Sequence, residues 1–384
     1  MKNLDRILFG LFFIVVFVFG IKLIHEPDLW WMLRTGEWIT QNGVPSSDPF
    51  SFTFFGTEWV NIKWLFEVLV YSISSVFGVA WITFLQATFN VLIFWFLWKI
   101  AKLVKVNFAV FAIVSLASLF ALEFRMLNRP EMSSHLLSVI FIFLWLRSRQ
   151  TKDKIIWAII PLQALWANLH EAYAIGVVIS TTFILGAFVE SNAKQIAEKF
   201  KDIKTIFFVG FASGLAVVLH PYHVKMLLQP FEIFSQLGAN KFTTELYSIS
   251  TQYYWENPQI FVVLSLVSLL IFSLLFSKNN LKILKEKFGI GYFILLVLFG
   301  YLSTTAHRNI PFFVLILIPF IGFALTQLFE KLKITSKVLT PIALTGSFIV
   351  YGLIASNWYY RKIDSPNDFG IGISPSRRRR RRTR

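Results

Sequence analysis

Long apolar runs separated by short polar connections dominate the chain. Crossing a ~30 Å hydrocarbon core takes ~20 apolar residues in a helix, because no water is there to satisfy free backbone groups. Runs of suitable length fall near 7–24, 80–98, 107–123, 132–147, 155–168, 172–190, 204–219, 258–277, 289–305, 311–329 and 338–357. The pattern therefore predicts an all-α integral membrane protein of about 11 transmembrane helices. The first run follows Lys2 and Arg6 and lacks a small-x-small cleavage site, so it reads as a retained anchor helix.

The two long connections, 25–79 and 220–257, carry patterns of their own. In Leu29–Thr40 one helical face holds Leu29, Met32, Leu33, Gly36 and Ile39, while Arg34, Glu37 and Gln41 share another, the pattern of a short amphipathic helix lying on a membrane. Asn42-Gly43 and Pro45 stop it. Ser51–Val60 is aromatic and Thr-containing and reads as extended. The run Trp64 to Phe77 opens on Asn61, Lys63 and Glu67 and is closed by Gly78, so it is expected to be an interfacial helix rather than a span.

Charge then orients the spans. One set of connections carries Lys2 and Arg6; Lys99, Lys102 and Lys105; Arg147, Arg149, Lys152 and Lys154; Lys194, Lys199, Lys201 and Lys204; Lys278, Lys282, Lys285 and Lys287; and Lys331, Lys333 and Lys337. This set marks the cytoplasmic face, with a cytoplasmic N-terminus and an extracytoplasmic C-terminus. The net charge of +16 is thus a topological signal, and no nucleic-acid partner is expected. Residues 1–360 form one polytopic domain. Residues 361–384, polar and then arginine-rich, read as a disordered or non-native tail, with a basic arm for anionic lipid or nucleic acid as the alternative. The chain has no cysteine, which removes disulfides and thiolate metal sites.

Ionisable residues at membrane depth cost several kcal/mol (~2.5–3.5 on insertion scales), so those kept at helix ends point to chemistry. They converge on the non-cytoplasmic side: His25, Glu26 and Asp28; Glu123, Arg125, Asn128, Arg129, Glu131 and His135; Asn168, His170 and Glu171; His220 and His223; His307, Arg308 and Asn309. Asp28 stands where an apolar helix meets a polar loop, fit to take a proton from an acceptor hydroxyl or to N-cap the helix from Leu29. Arg125, Arg129 and Arg308, with His307, offer forked cationic donors to a phosphate, or else pair with Glu123 and Glu131. Arg34, Glu37, Glu131, Asn168, His170 and His220 complete the candidate binding set. His220 and His223, with Glu232 nearby, are too few for a closed metal site, and no metal ligand is assigned. Trp30, Trp31, Trp38, Trp59 and Trp64 are interfacial anchors that also suit sugar rings.

The stretches PDLWWMLRTGEWITQNGVPSSDPFSFT, WVNIKWLFEVLVY, NRPE, WANLHEAY, HPYH and HRNIP resemble a group of bacterial multi-spanning proteins likened to the GT-C glycosyltransferases, over nearly the whole chain to about Gly372. The resemblance implies a GT-C-like fold in a bacterial plasma membrane, with a large first outer loop carrying short surface helices. It also implies a polyprenyl-phosphate sugar as donor, Asp28 as catalytic base, later Arg and His residues on the lipid phosphate, and inversion at the anomeric carbon. The cofactor is open, a divalent cation such as Mg being compatible. Two positions depart from the group: Met32 stands where a histidine is more frequent, and Ile62-Lys63 where His-Glu is. The alternative expectation is a transporter or flippase for a lipid-linked or anionic substrate.

Overall fold

The computed structural model describes residues 2–151, 154–190, 200–239, 243–276 and 280–374. These are helical, and extended pairing among them is confined to three isolated bridges. The helices are α1 (Lys2–Gly20), α2 (Asp28–Asn42), α3 (Trp64–Phe77), α4 (Ile82–Leu103), α5 (Phe108–Leu122), α6 (Glu131–Thr151), α7 (Ile159–Leu169), α8 (Ala174–Glu190) and α9 (Phe200–Ala216). They continue with α10 (Lys225–Ala239), α11 (Gln252–Trp255), α12 (Gln259–Leu275), α13 (Asn280–Phe288), α14 (Ile290–Thr305), α15 (Ile310–Lys331), α16 (Ser336–Ala355) and α17 (Trp358–Lys362).

Each of the eleven apolar runs is a helix, and among the described residues five stretches are long and apolar enough to cross a membrane: Asn3–Gly20, Val79–Leu103, Glu171–Glu190, His307–Lys331 and Ser336–Ala355. The span ending in α15 is the centre of the bundle, 83% buried where the other four are 33–39% buried. Glycines set the tightest crossing: a Cβ on Gly186 of α8 would collide with the backbone of Gly291 in α14, so the two helices touch main chain to main chain. Asn107 caps α5 by accepting from Ala109 N at 2.9 Å and also donates to Ser336 Oγ at 2.9 Å.

The polar groups separate to two ends. At one end Asn107 meets Ser336, Thr340 donates to Asp5, Arg149 pairs with Glu190, and Lys331 Nζ donates to Phe276 O. This is the end of the recurrent lysine and arginine clusters. At the other end the C-termini of α1, α5, α7 and α14 meet the N-termini of α4, α6, α8 and α15. Here α2 and α3 lie packed on each other, and α3 does not traverse the bundle. Trp64 at its start donates to Asn168 at the end of α7, while Phe77 at its end stacks on Trp81 just before α4.

Three expectations are corrected. The first helix ends at Gly20 rather than 24, because Ile21–Ile24 leave the helix to pair with the chain's far end: Leu23 N donates to Asp368 O at 2.9 Å and Ile24 N to Gly372 O at 2.8 Å. For the same reason the polar stretch expected to be disordered from 361 is folded as far as Ser374, with Ser365 and Asn367 buried. Arg377–Arg384 lie outside the described residues. The segment Ser51–Val60 is a folded-back loop rather than extended, because the Asp48 carboxylate gathers Phe50 N at 2.8 Å and Ser51 N at 3.0 Å.

Candidate functional site

The cleft end of the bundle opens into a pocket with about 540 Å³ of empty space. Six segments build it: the start of α2, the residues before α3, the α5–α6, α7–α8 and α14–α15 turns, and the loop that carries Glu245. Six residues singled out from the sequence line it, Asp28, Arg125, Arg129, Glu131, His170 and Arg308, joined by Met32, Lys63, Glu171 and Glu245.

Asp28 is the first residue of α2, which has Pro27 in the cap position and no side-chain cap bond. The capping role open to it is therefore not taken. Its side chain is 63% exposed to the cleft and meets Arg129 Nη2 only at 3.9 Å. Amphipathic burial aims it there: Leu29, Met32, Gly36 and Ile39 of the expected face are buried against α3, joined by Thr35, while Leu33 is only half-buried.

The arginines are not free. Arg125 pairs with Glu131 and donates Nη1 to Glu245 Oε2 at 2.6 Å. Arg129 donates Nε to Glu26 Oε2 at 2.6 Å and Nη1 to Glu245 Oε1 at 3.0 Å, so Glu245 bridges both guanidinium groups. Burial opposes these charges, but the partners prevail: Arg125 and Arg129 hold the Glu245 carboxyl below the usual carboxylate range, and Glu26 and Glu245 raise Arg129 above its ordinary value. Arg308 reaches Glu171 Oε1 only at 3.5 Å. Lys63 lines the cleft, its charge acts on both Glu67 and His170, and among the described residues its ammonium has no ion-pair partner.

His170 has a defined tautomer. Trp166 Nε1 donates to Ser134 Oγ at 2.7 Å, so that hydroxyl donates onward to His170 Nδ1 at 2.7 Å, where Ala172 N also donates at 3.4 Å. With Nδ1 accepting, Nε2 carries the proton. Burial drops the pKa of His170 to about 3, so the neutral ring acts at physiological pH as an N–H donor.

Other candidates serve the frame. Asn168 accepts from Trp64 Nε1 at 2.7 Å and donates to Ala164 O and Leu219 O. His220 takes Tyr222 N on Nδ1 at 3.2 Å and gives Nε2–H to Ile62 O at 3.3 Å, which occupies both ring nitrogens. His307 is buried between Phe124 and Tyr254, with centroids at 4.2 and 5.6 Å. Arg34 and Glu37 pair with each other on the exposed side of α2. Among the described residues no group of three or more His, Cys, Asp or Glu is placed to hold a metal ion, so no step is routed through one.

Glu245 is the residue that the sequence did not single out. It is one of several glutamates in the long loop 220–257, and nothing in its spacing separates it from Glu232 or Glu256; only the fold brings it onto two arginines. Lys63 was visible, but as a departure from a pattern. No protein-family model matches the chain, and no curated protein matches it.

Proposed function

We propose that this chain is a GT-C-like membrane glycosyltransferase that moves a sugar from a polyprenyl phosphate to an acceptor hydroxyl. In this reading all eleven apolar runs cross a bacterial plasma membrane, the lysine-rich end is cytoplasmic, and the cleft opens on the extracytoplasmic face. The carrying observation is the exposed, weakly paired Asp28 in a cleft otherwise built of arginine–carboxylate pairs.

The reaction follows from that arrangement. The acceptor oxygen attacks the anomeric carbon from the face opposite the phosphate, its proton passes to the Asp28 carboxylate, and the carbon–oxygen bond to the phosphate breaks with the electron pair leaving on the lipid phosphate. One displacement gives inversion. Asp28 is fit for the proton because no cap bond consumes it and the Arg129 guanidinium stands 3.9 Å away. The His170 Nε2–H and the loosely held Arg308 are donors for ligand oxygens. A transporter would need polar groups lining a path through helix midpoints. Of the three polar midpoints, Gln86 and Gln163 are bonded to backbone carbonyls of Met126 and Tyr173 inside the bundle and Asn90 is fully buried, so none of the three lines an open path, which favours the transferase.

The test incubates purified protein with labelled polyprenyl-phosphate sugars. Asp28→Asn should lower transfer by about 10²–10⁴-fold, the range for a positioned general base. Equal transfer by both proteins removes Asp28 as the base, and no transfer by the wild type from any such donor overturns the enzyme reading.

A further inference from the structure

Four carboxylates and four cations line the cleft, Asp28, Glu131, Glu171 and Glu245 facing Lys63, Arg125, Arg129 and Arg308. An anionic ligand must therefore find a cation that the protein has not already neutralised. Arg125 holds two carboxylates, Arg129 holds Glu26 and Glu245 closely and Asp28 at 3.9 Å, and Arg308 holds one. Lys63 holds none among the described residues. We propose that Lys63 binds the anionic, phosphate-type group of the ligand in the cleft that it lines together with Asp28. The proposal rests on the cleft's being the site of sugar transfer and adds the residue that reads the donor's charge.

The support of Lys63 is built as a binding residue's support has to be, rigid up to the side chain itself. Its neighbours on both sides are fastened. Asn61 N donates to Tyr222 Oη at 3.0 Å and Asn61 Nδ2 to Glu67 Oε2 at 2.5 Å. Ile62 O accepts from His220, and Trp64 Nε1 is tied to Asn168. Two bonds to the backbone of Asn61 and Ile62 and two to the side chains of Asn61 and Trp64 fasten 61–64 and leave the half-buried Lys63 lining the cleft. The closest carboxyl on its own element, Glu67, lies buried on Asn61, and burial lifts its pKa to about 7, so it is a poor counter-ion for Lys63. An ammonium is a compact point charge with three donors, suited to the oxygens of a phosphate ester. The ordinary reading of an unpaired lysine is a solvated surface chain; this one is half-buried, in a segment fastened on both sides.

The phosphate can belong to a lipid or to a soluble sugar phosphate, and binding to detergent-purified wild type, Lys63→Met and Lys63→Arg separates them. The probes are a polyprenyl phosphate, a water-soluble hexose phosphate and inorganic phosphate. Lys63→Met should weaken binding by about 10- to 100-fold, as expected for losing a charge-assisted hydrogen bond, and should flatten its dependence on NaCl. Lys63→Arg should retain most of the affinity, and both variants should melt as the wild type does. Binding of the polyprenyl phosphate alone assigns the anion to a lipid headgroup, whereas binding of all three assigns recognition to the phosphate itself; either supports the proposal. Equal affinity of wild type and Lys63→Met for a probe that binds overturns it while leaving the transferase reading intact. If the wild type binds none of the probes, both fall.

Discussion

Glu67 lies fully buried at the α2–α3 contact with one carboxyl oxygen on Asn61 Nδ2 and the other, Oε1, without a partner among the described residues. Its pKa is raised by burial to about 7, so the folded state holds a proton that the unfolded chain releases near the ordinary value of 4.5. The sign follows: the contribution is full below about pH 4.5 and is lost as pH rises through 7, by an amount on the order of 3 kcal/mol. Thermal melts from pH 5 to 8 should therefore show falling stability that Glu67→Gln abolishes; an unchanged pH dependence in that variant would contradict the assignment. His170 carries a second residue-scale prediction. Ser134→Ala removes the hydroxyl that fixes its tautomer and also leaves the buried Trp166 Nε1–H without its acceptor, so transfer should fall by about 10-fold and the melting temperature should fall with it. Residue identity made Asp28, Arg129 and His170 legible beforehand, because charges at apolar helix ends are costly. Their pairing was not legible: that Arg125 and Arg129 are shared by Glu245 depends on a loop more than a hundred residues away.

Between elements, the closest approach that matters is Gly36 of α2 on α3. A Cβ there would run into the Glu67 carbonyl, so only glycine lets the two surface helices seat against each other. Gly36→Val should push α2 off α3, and because Asp28 begins α2 and Lys63 precedes α3, it should cost both stability and donor binding. A variant that melts and binds as the wild type does would show that the helices seat independently. The helices themselves were readable from hydrophobic runs, and their bounds differ from the observed ones mostly by a few residues. The failures came where a long-range partner decides the backbone. Residues 21–24 look like the last turn of an apolar helix, yet they pair instead with 368–374. Ser51–Val60 has strand-like residues, but Asp48 turns the loop back on itself.

For the molecule as a whole, the two polar ends make topology testable. Reporters fused after His223 and after Lys105 should fall on opposite sides of the membrane, the first extracytoplasmic and the second cytoplasmic; a shared side would overturn the count of crossings. The buried Lys22 adds a feature of the same scale. Burial lowers its pKa to about 8, and its ammonium donates to Glu123 O at 2.9 Å and Met126 O at 3.2 Å. Glu123 in turn accepts from Ser365 Oγ at 2.9 Å and from Asn367. This buried junction locks 365–374 against the segment leading from α1 to Asp28. Its consequence is one of tethering. Ser374 N is bonded to Ile24 O at 2.8 Å, four residues before Asp28, so the start of α2 is anchored to a segment more than three hundred residues away in the chain.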